Sequence, residues 1–357
     1  MTNKYIYKVN DSEVILANSS FDKFWLSDNP FKKEMLPRHL NYIKSVDHSF
    51  FNLKNCVDFE AADLFVLGVP YNRGSNMQKS AVRHFPEVLR RASYAYTNFY
   101  DFNLKSMSGI YDVDDNKLLW QDAVVKDLGD MEEVFDQCDI QKCLDDVIAF
   151  THFSDSKLLT IGGDHSLTFY AINGLKKLYP KKKFVLFQFD AHHDCGYSLK
   201  HRQENLDHAN FVKYLLDDES IYGVIQFGVR GFRSREQVYK HPKLFQVSAR
   251  DLRQNNISEL LDELPIDFRS NELLGYVSFD TDAFDPKIFP LVDFPIQEGM
   301  QMNEVKNTLD SIYSLPIDIC GLDIVEGKSG GEVSVYDPVI KVLIQLLHLM
   351  GKKYSLV

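Results

Sequence analysis

The sequence predicts a three-layer α/β/α domain on a mostly parallel sheet, and three observations carry that expectation. Apolar runs of strand length recur from about residue 60 onward. Segments with apolar residues at helical spacing lie between most of them. Asp and His crowd the ends of the runs, where an open parallel sheet binds its ligands. The runs are Leu64–Val69, Val124–Asp127, Lys157–Ile161, Phe184–Phe189, Gly223–Phe227, Leu274–Asp280 and Ile317–Asp323. They are near-continuously apolar, so both faces of the sheet must be covered. Met302, Val305, Leu309 and Ile312 form one face of a helix before the last strand. Val339–Met350, interrupted by Lys341, Gln345 and His348, is too short to span a bilayer and reads as a buried helix.

The 357 residues, 45% hydrophobic and 25% charged, suit a soluble globular chain that buries its core without staples. No repeat, low-complexity tract or linker follows Glu60. One domain is therefore expected over 61–357, with residues 1–60 an irregular extension packed on it. With 40 Lys+Arg against 51 Asp+Glu, the net charge of −11 argues against nucleic acid and mildly favours a cationic substrate. Cys56, Cys138, Cys143, Cys195 and Cys320 form no CxxC pair, so neither a disulfide framework nor a zinc knuckle is expected. That usage fits a reducing cytoplasm. Met1–Asn10 lacks the apolar core of a signal peptide, and no membrane partner is expected. The sequons at Asn10, Asn18 and Asn256 read as chance matches.

Four strand ends carry the chemistry. They read Gly162-Gly163-Asp164-His165-Ser166, Asp190-Ala191-His192-His193-Asp194, Asp280-Thr281-Asp282-Ala283-Phe284-Asp285-Pro286 and Val325-Glu326-Gly327. Alternating residues of an extended segment share a face, which pairs Asp190 with His192 and Asp280 with Asp282. Asp194 lies a little further on. The glycines before His165 let the backbone turn sharply and leave the imidazole near the tip. His193 should point away from His192, as a bystander. Carboxylates mixed with imidazole, without thiolate, suit a divalent ion such as Mn²⁺ better than structural zinc. His165, Asp190, His192, Asp194, Asp280 and Asp282 are too many ligands for one catalytic ion with an open position, whereas two ions would use them all. Any one of these residues alone would read as a core His or a strand-end turn residue.

The chain resembles the ureohydrolase superfamily of arginase, agmatinase, formiminoglutamase and guanidinobutyrase. That superfamily's motifs Gly-Gly-Asp-His, Asp-Ala-His-x-Asp and Ser-x-Asp-x-Asp-x-x-Asp-Pro stand in order at 162–165, 190–194 and 278–286. Gly68-Val69-Pro70 with Arg73-Gly74, and Asp127-Leu128-Gly129-Asp130, resemble it less specifically; the likeness covers roughly residues 60 to 350. The resemblance implies an arginase-like fold and two Mn²⁺ per chain. One ion would be held by His165, Asp190, Asp194 and Asp280, the other by Asp190, His192, Asp280 and Asp282. It further implies that Glu326 pairs with the substrate guanidinium and that His208, followed by Ala209 instead of the usual Gly, is the active-site histidine. A surface His at a helix start is the rival reading of His208. Asp285 and Pro286 read as shaping their loop.

The implied reaction is hydrolysis of a guanidino group to urea and an amine, ornithine from arginine. A metal-bridging position lowers the pKa of water, Asp194 relays the proton to the leaving nitrogen, and His208 carries protons to solvent. No organic cofactor is needed. Free arginine is not expected to be the best substrate. The loop Cys195-Gly196-Tyr197-Ser198 lacks the Asn and Ser pattern that holds a free amino acid's charged end. Arginine within a peptide is preferred, with agmatine and formiminoglutamate as alternatives within the class. A non-catalytic metal-binding relative is the alternative outside it. The partners expected are thus a guanidino-bearing small molecule or an arginine-containing peptide, and a second copy of the chain in a homo-oligomer.

Overall fold

Nine strands build the central sheet: β1 (Ile43–Lys44), β2 (Leu64–Val69), β3 (Val125–Met131), β4 (Lys157–Gly162), β5 (Lys183–Phe189), β6 (Ile221–Val229), β7 (Leu244–Ser248), β8 (Leu273–Asp280) and β9 (Asp318–Val325). Their order across the sheet is β7-β6-β5-β8-β9-β4-β2-β3-β1. Eight run parallel, and β1 alone is antiparallel, against β3. The structure is a computed structural model that describes residues 4–9, 12–17, 43–44, 46, 49–52, 62–75, 80–101, 106–107, 110–119, 124–131, 137–153, 156–196, 205–235 and 238–350.

Two compact units divide the chain at residues 42 and 43. The first contains an antiparallel hairpin, Lys4–Val9 with Ser12–Ala17. The second holds the sheet and its helices: α1 (Phe85–Ser93), α2 (Gln137–Phe153), α3 (Leu167–Leu178), α4 (Phe211–Leu216), α5 (Ala249–Gln254), α6 (Ile257–Asp262), α7 (Met302–Ser314) and α8 (Asp337–Met350). Phe50 and Phe51, from the segment expected as an extension, lie in this unit's core.

Strand alternation sorts the layers. Val185, Phe187 and Phe189 of β5 join one core cluster with residues of α1, α5, α6, α7 and α8. On the other side α2 packs on α3, and α3 on α4. Capping boxes start α5 (Ser248 with Asp251) and α7 (Gln301 with Glu304), satisfying backbone N–H groups that the helix itself cannot. The apolar side chains of α8, including Val339, Leu343, Leu346 and Leu347, are buried in the core, as its sequence predicts. The run expected at Val124–Asp127 extends to Met131. Asp127 does not end it, because its buried carboxylate accepts from Arg90 Nε at 2.9 Å and from the Phe50 N–H at 2.8 Å. The short strands β1 and β7 carry no continuous apolar run; β7, at the sheet edge, is largely unburied.

Candidate metal centre

Sheet register brings the four strand ends to one level. Phe189 of β5 pairs with Phe279 of β8, so Asp190 and Asp280 leave neighbouring strands side by side. Ile161 of β4 and Phe279 of β8 both pair with Ile324 of β9, which brings His165 and Glu326 to the same rim. The Glu326 N–H donates to Gly163 O at 2.8 Å and ties two of the tips. Neither Gly162 nor Gly163 has a positive φ, so a sharp turn is not what they supply. A Cβ on Gly163 would sit 1.5 Å from Tyr71 O; the glycine permits a close backbone approach.

The structure brings all six candidate ligands together. His165 Nδ1 lies 3.1 Å from Asp194 Oδ2, 3.1 Å from Asp280 Oδ2 and 3.2 Å from Asp190 Oδ2. His192 Nδ1 lies 2.8 Å from Asp282 Oδ2 and 3.5 Å from Asp190 Oδ1. Asp190 thus presents one oxygen to each imidazole, the arrangement of a bridging carboxylate. Burial opposes charge on His165, but the three carboxylates outweigh it and raise its pKa well above the ordinary value. His192 is likewise pushed up to about 12 against its burial, by Asp282 and Asp190. Burial, with the Asp190 charge behind it, lifts Asp194 to about 7.

Proton bookkeeping around His165 tests whether a cation fits. Its Nε2 lies 2.8 Å from Ser278 Oγ. That hydroxyl donates to Asp323 Oδ1 at 2.6 Å, so it accepts from the imidazole, and Nε2 carries the proton. Asp323 is held in turn by Thr168 Oγ1 and Tyr276 OH, both at 2.8 Å. The remaining nitrogen, Nδ1, is buried and makes no hydrogen bond, although three carboxylate oxygens surround it. Three carboxylates around that nitrogen call for positive charge, supplied by a proton on the metal-free ring or by a cation in its place. Two His/Asp groups have their ligand atoms close enough to share an ion: His165, Asp190 and Asp194, and Asp190, His192 and Asp282. The donor set is hard and imidazole-containing, and divalent metal fits it.

Glu326 and His208 stand together at this rim. Glu326 Oε1 accepts from the backbone N–H of His165 at 2.9 Å and lies 2.9 Å from His208 Nδ1. His208 is buried, not on the surface. Its burial opposes charge, yet Glu326, Asp164 and Asp194 raise its pKa to about 9. Asp194 and Glu326 both have left-handed backbone, φ 47° and 63°, a strained conformation for residues with side chains. His165, Asp194, His208 and Glu326 line one cavity of about 300 Å³. Asp285 accepts from the Lys287 and Gly299 N–H groups at 3.0 Å and shapes its loop. His193 also lines the cavity, with Nδ1 accepting from the Cys195 N–H at 2.9 Å. Tyr197 and Ser198 lie outside the described residues.

Sequence reasoning missed an amide ladder that runs from the exposed Gln246 to the buried Gln226 and Gln188. Gln246, Gln226 and Gln188 are in register across β7, β6 and β5, each donating at 2.8 Å to the next. Gln188 Nε2 ends the ladder on Asp190 Oδ2 at 2.7 Å and Asp194 Oδ2 at 3.1 Å. A glutamine two residues before Asp190, inside an apolar run, was the available signal. Arg230 was missed as well. It fastens the loops around the cavity by donating to Asp282 O at 2.8 Å, Phe284 O at 3.0 Å and Ile296 O at 2.7 Å.

The model of the arginase family matches residues 62–329, most of the chain and all of this rim. The chain belongs to the arginase family. It is similar to an agmatinase of Photorhabdus laumondii subsp. laumondii, 24% identical over 306 residues that cover 82% of this chain and 88% of that one. Among solved structures, formimidoylglutamase from Bacillus subtilis aligns with a TM-score of 0.68 at 20% identity, covering 93% and 98% of the two chains. Proclavaminate amidino hydrolase from Streptomyces clavuligerus aligns at 0.66 and 20%, covering 86% and 99%. At these identities the solved structures establish the fold. Membership makes the chain a metal-dependent hydrolase of the ureohydrolase type.

Proposed function

We propose that this arginase-family member hydrolyses the guanidino group of arginine, free or within a peptide, to urea and an ornithine side chain. The observation that carries the reading is the buried Glu326 carboxylate beside the His165 cluster, in the same cavity. Two Mn²⁺ ions are the proposed cofactors, with His165, Asp190, His192, Asp194, Asp280 and Asp282 as their ligands. Bound there, the ions would supply a nucleophile from water near neutral pH. Glu326 accepts the guanidinium N–H groups through charge-assisted hydrogen bonds and orients the carbon toward the cluster. Asp194, at the cluster's edge, holds the proton and returns it to the leaving nitrogen. His208, paired with Glu326, exchanges protons with solvent.

Agmatine is a second reading, favoured by the name of the agmatinase relative. Cys195 and Cys320 are buried thiols, which supports a reducing cytoplasm. Urea release by the Mn²⁺-loaded protein tests the reading on free arginine, an arginine-containing peptide and agmatine, and formamide release tests it on formiminoglutamate. Faster urea release from an arginine substrate than from agmatine is expected. Agmatine as the better substrate would transfer the assignment to the second reading.

A further inference from the structure

Two arginines line the cavity, and they differ in what they have left to offer. Arg230 is occupied by backbone carbonyls. Arg233 makes one marginal hydrogen bond among the described residues, from Nη2 to Ala191 O at 3.4 Å. None of the described carboxylates forms an ion pair with it. The acids of the same cavity are engaged elsewhere: Asp293 pairs with Lys328 at 3.0 Å, Glu326 with His208, and Asp194, Asp280 and Asp282 face the imidazoles. A guanidinium without an acid partner among the described residues, in a cavity crowded with acids, is a seat for an anion brought by the ligand. Its planar fork matches a carboxylate. Ala191, which Arg233 touches, lies between Asp190 and His192, so the seat adjoins the cluster. Phe294 lines the same cavity with its ring 6.3 Å from that of His192 and 6.0 Å from that of His208. It offers an apolar wall for a methylene spacer.

We infer that the substrate carries a carboxylate on the far end of the chain from its guanidine, and that Arg233 holds it. The substrate class is then an ω-guanidino acid, which includes arginine with a free carboxylate, alone or ending a peptide. A guanidino amine such as agmatine would bring an ammonium to a guanidinium. This inference rests on the cavity being a guanidino-hydrolase site.

The test compares 5-guanidinovalerate with agmatine, two guanidines on the same four-methylene chain that end in carboxylate and ammonium. With Mn²⁺-loaded protein, kcat/KM for the acid should exceed that for agmatine by at least about tenfold, as one charge-assisted contact allows. Arg233→Gln should narrow or invert that preference, mainly by raising KM for the acid, and Arg233→Lys should restore part of it. Agmatine as the better substrate of the parent, or an unchanged ratio in Arg233→Gln, overturns the inference. If neither compound yields urea, the hydrolase reading fails. Calorimetric titration of both compounds into parent and Arg233→Gln then decides the inference separately. Acid binding lost in the variant supports it, and equal binding of both compounds overturns it.

Discussion

Ser278 touches no substrate, yet the tautomer argument makes it a sensitive point of the centre. Its Oγ accepts from His165 Nε2 at 2.8 Å and donates to Asp323 at 2.6 Å, all three side chains being buried. Ser278→Ala removes the acceptor and leaves a buried imidazole N–H without a partner. The ring can then carry its proton on Nδ1, the atom aimed at Asp190, Asp194 and Asp280. A proton there competes with metal for the same lone pair. Loss of such an outer partner typically lowers metal affinity by about 10–100-fold, which is about 1.4–2.7 kcal/mol. The unpaired N–H should itself lower folding stability by about 1–3 kcal/mol. Calorimetric titration with Mn²⁺, beside urea denaturation of the metal-free protein, reads both effects. A variant that binds Mn²⁺ with parental affinity would refute the argument that Nε2–H is fixed by Ser278.

Further outcomes follow from the same geometry. Asp280→Ala, which removes one of the three carboxylates at His165 Nδ1, should lose metal on dialysis and release no urea; metal content and turnover are measured together. Glu326→Gln should keep its metal while kcat/KM for the guanidino substrate falls at least about tenfold, since a neutral amide loses the charge-assisted contact. His208 is held protonated up to about pH 9, above its ordinary 6.5. A histidine raised in this way adds stability that is complete below about pH 6.5 and lost as pH rises through about 9, at most about 3–4 kcal/mol. Urea denaturation at pH 7 and pH 10 should therefore show the parent losing more stability than His208→Asn. Equal losses would mean that the His208–Glu326 contact carries no charge.

Much of this fold is written in its strands. β5, β8 and β9 are apolar almost end to end because helices cover both faces, so their sequences stand out. Nothing local distinguishes β7, whose residues sit half-exposed at the sheet edge, or β1, two residues long. Strand order is also hidden. That β9 lies between β4 and β8 is a long-range fact, and it is what carries Glu326 to His165. The six candidate ligands were legible because each stands at a strand end within a short spaced motif. Their supports were not. Ser278 sits inside its motif with no mark of its role, and Asp323 reads as one acid in an apolar strand. Gln188, Gln226 and Gln246 become a ladder only when β5, β6 and β7 pair in register. Arg233 belongs to no motif, and its importance rests on its having no acid partner among the described residues.

We propose two divalent ions at this rim, with Asp190 facing both. Crystals grown with Mn²⁺ and measured on either side of the manganese absorption edge would locate both ions. Two anomalous peaks per chain are expected, one among His165, Asp190, Asp194 and Asp280, the other among Asp190, His192, Asp280 and Asp282. No peak at these residues, or a single peak with Asp190 bound to one ion only, would contradict the proposal.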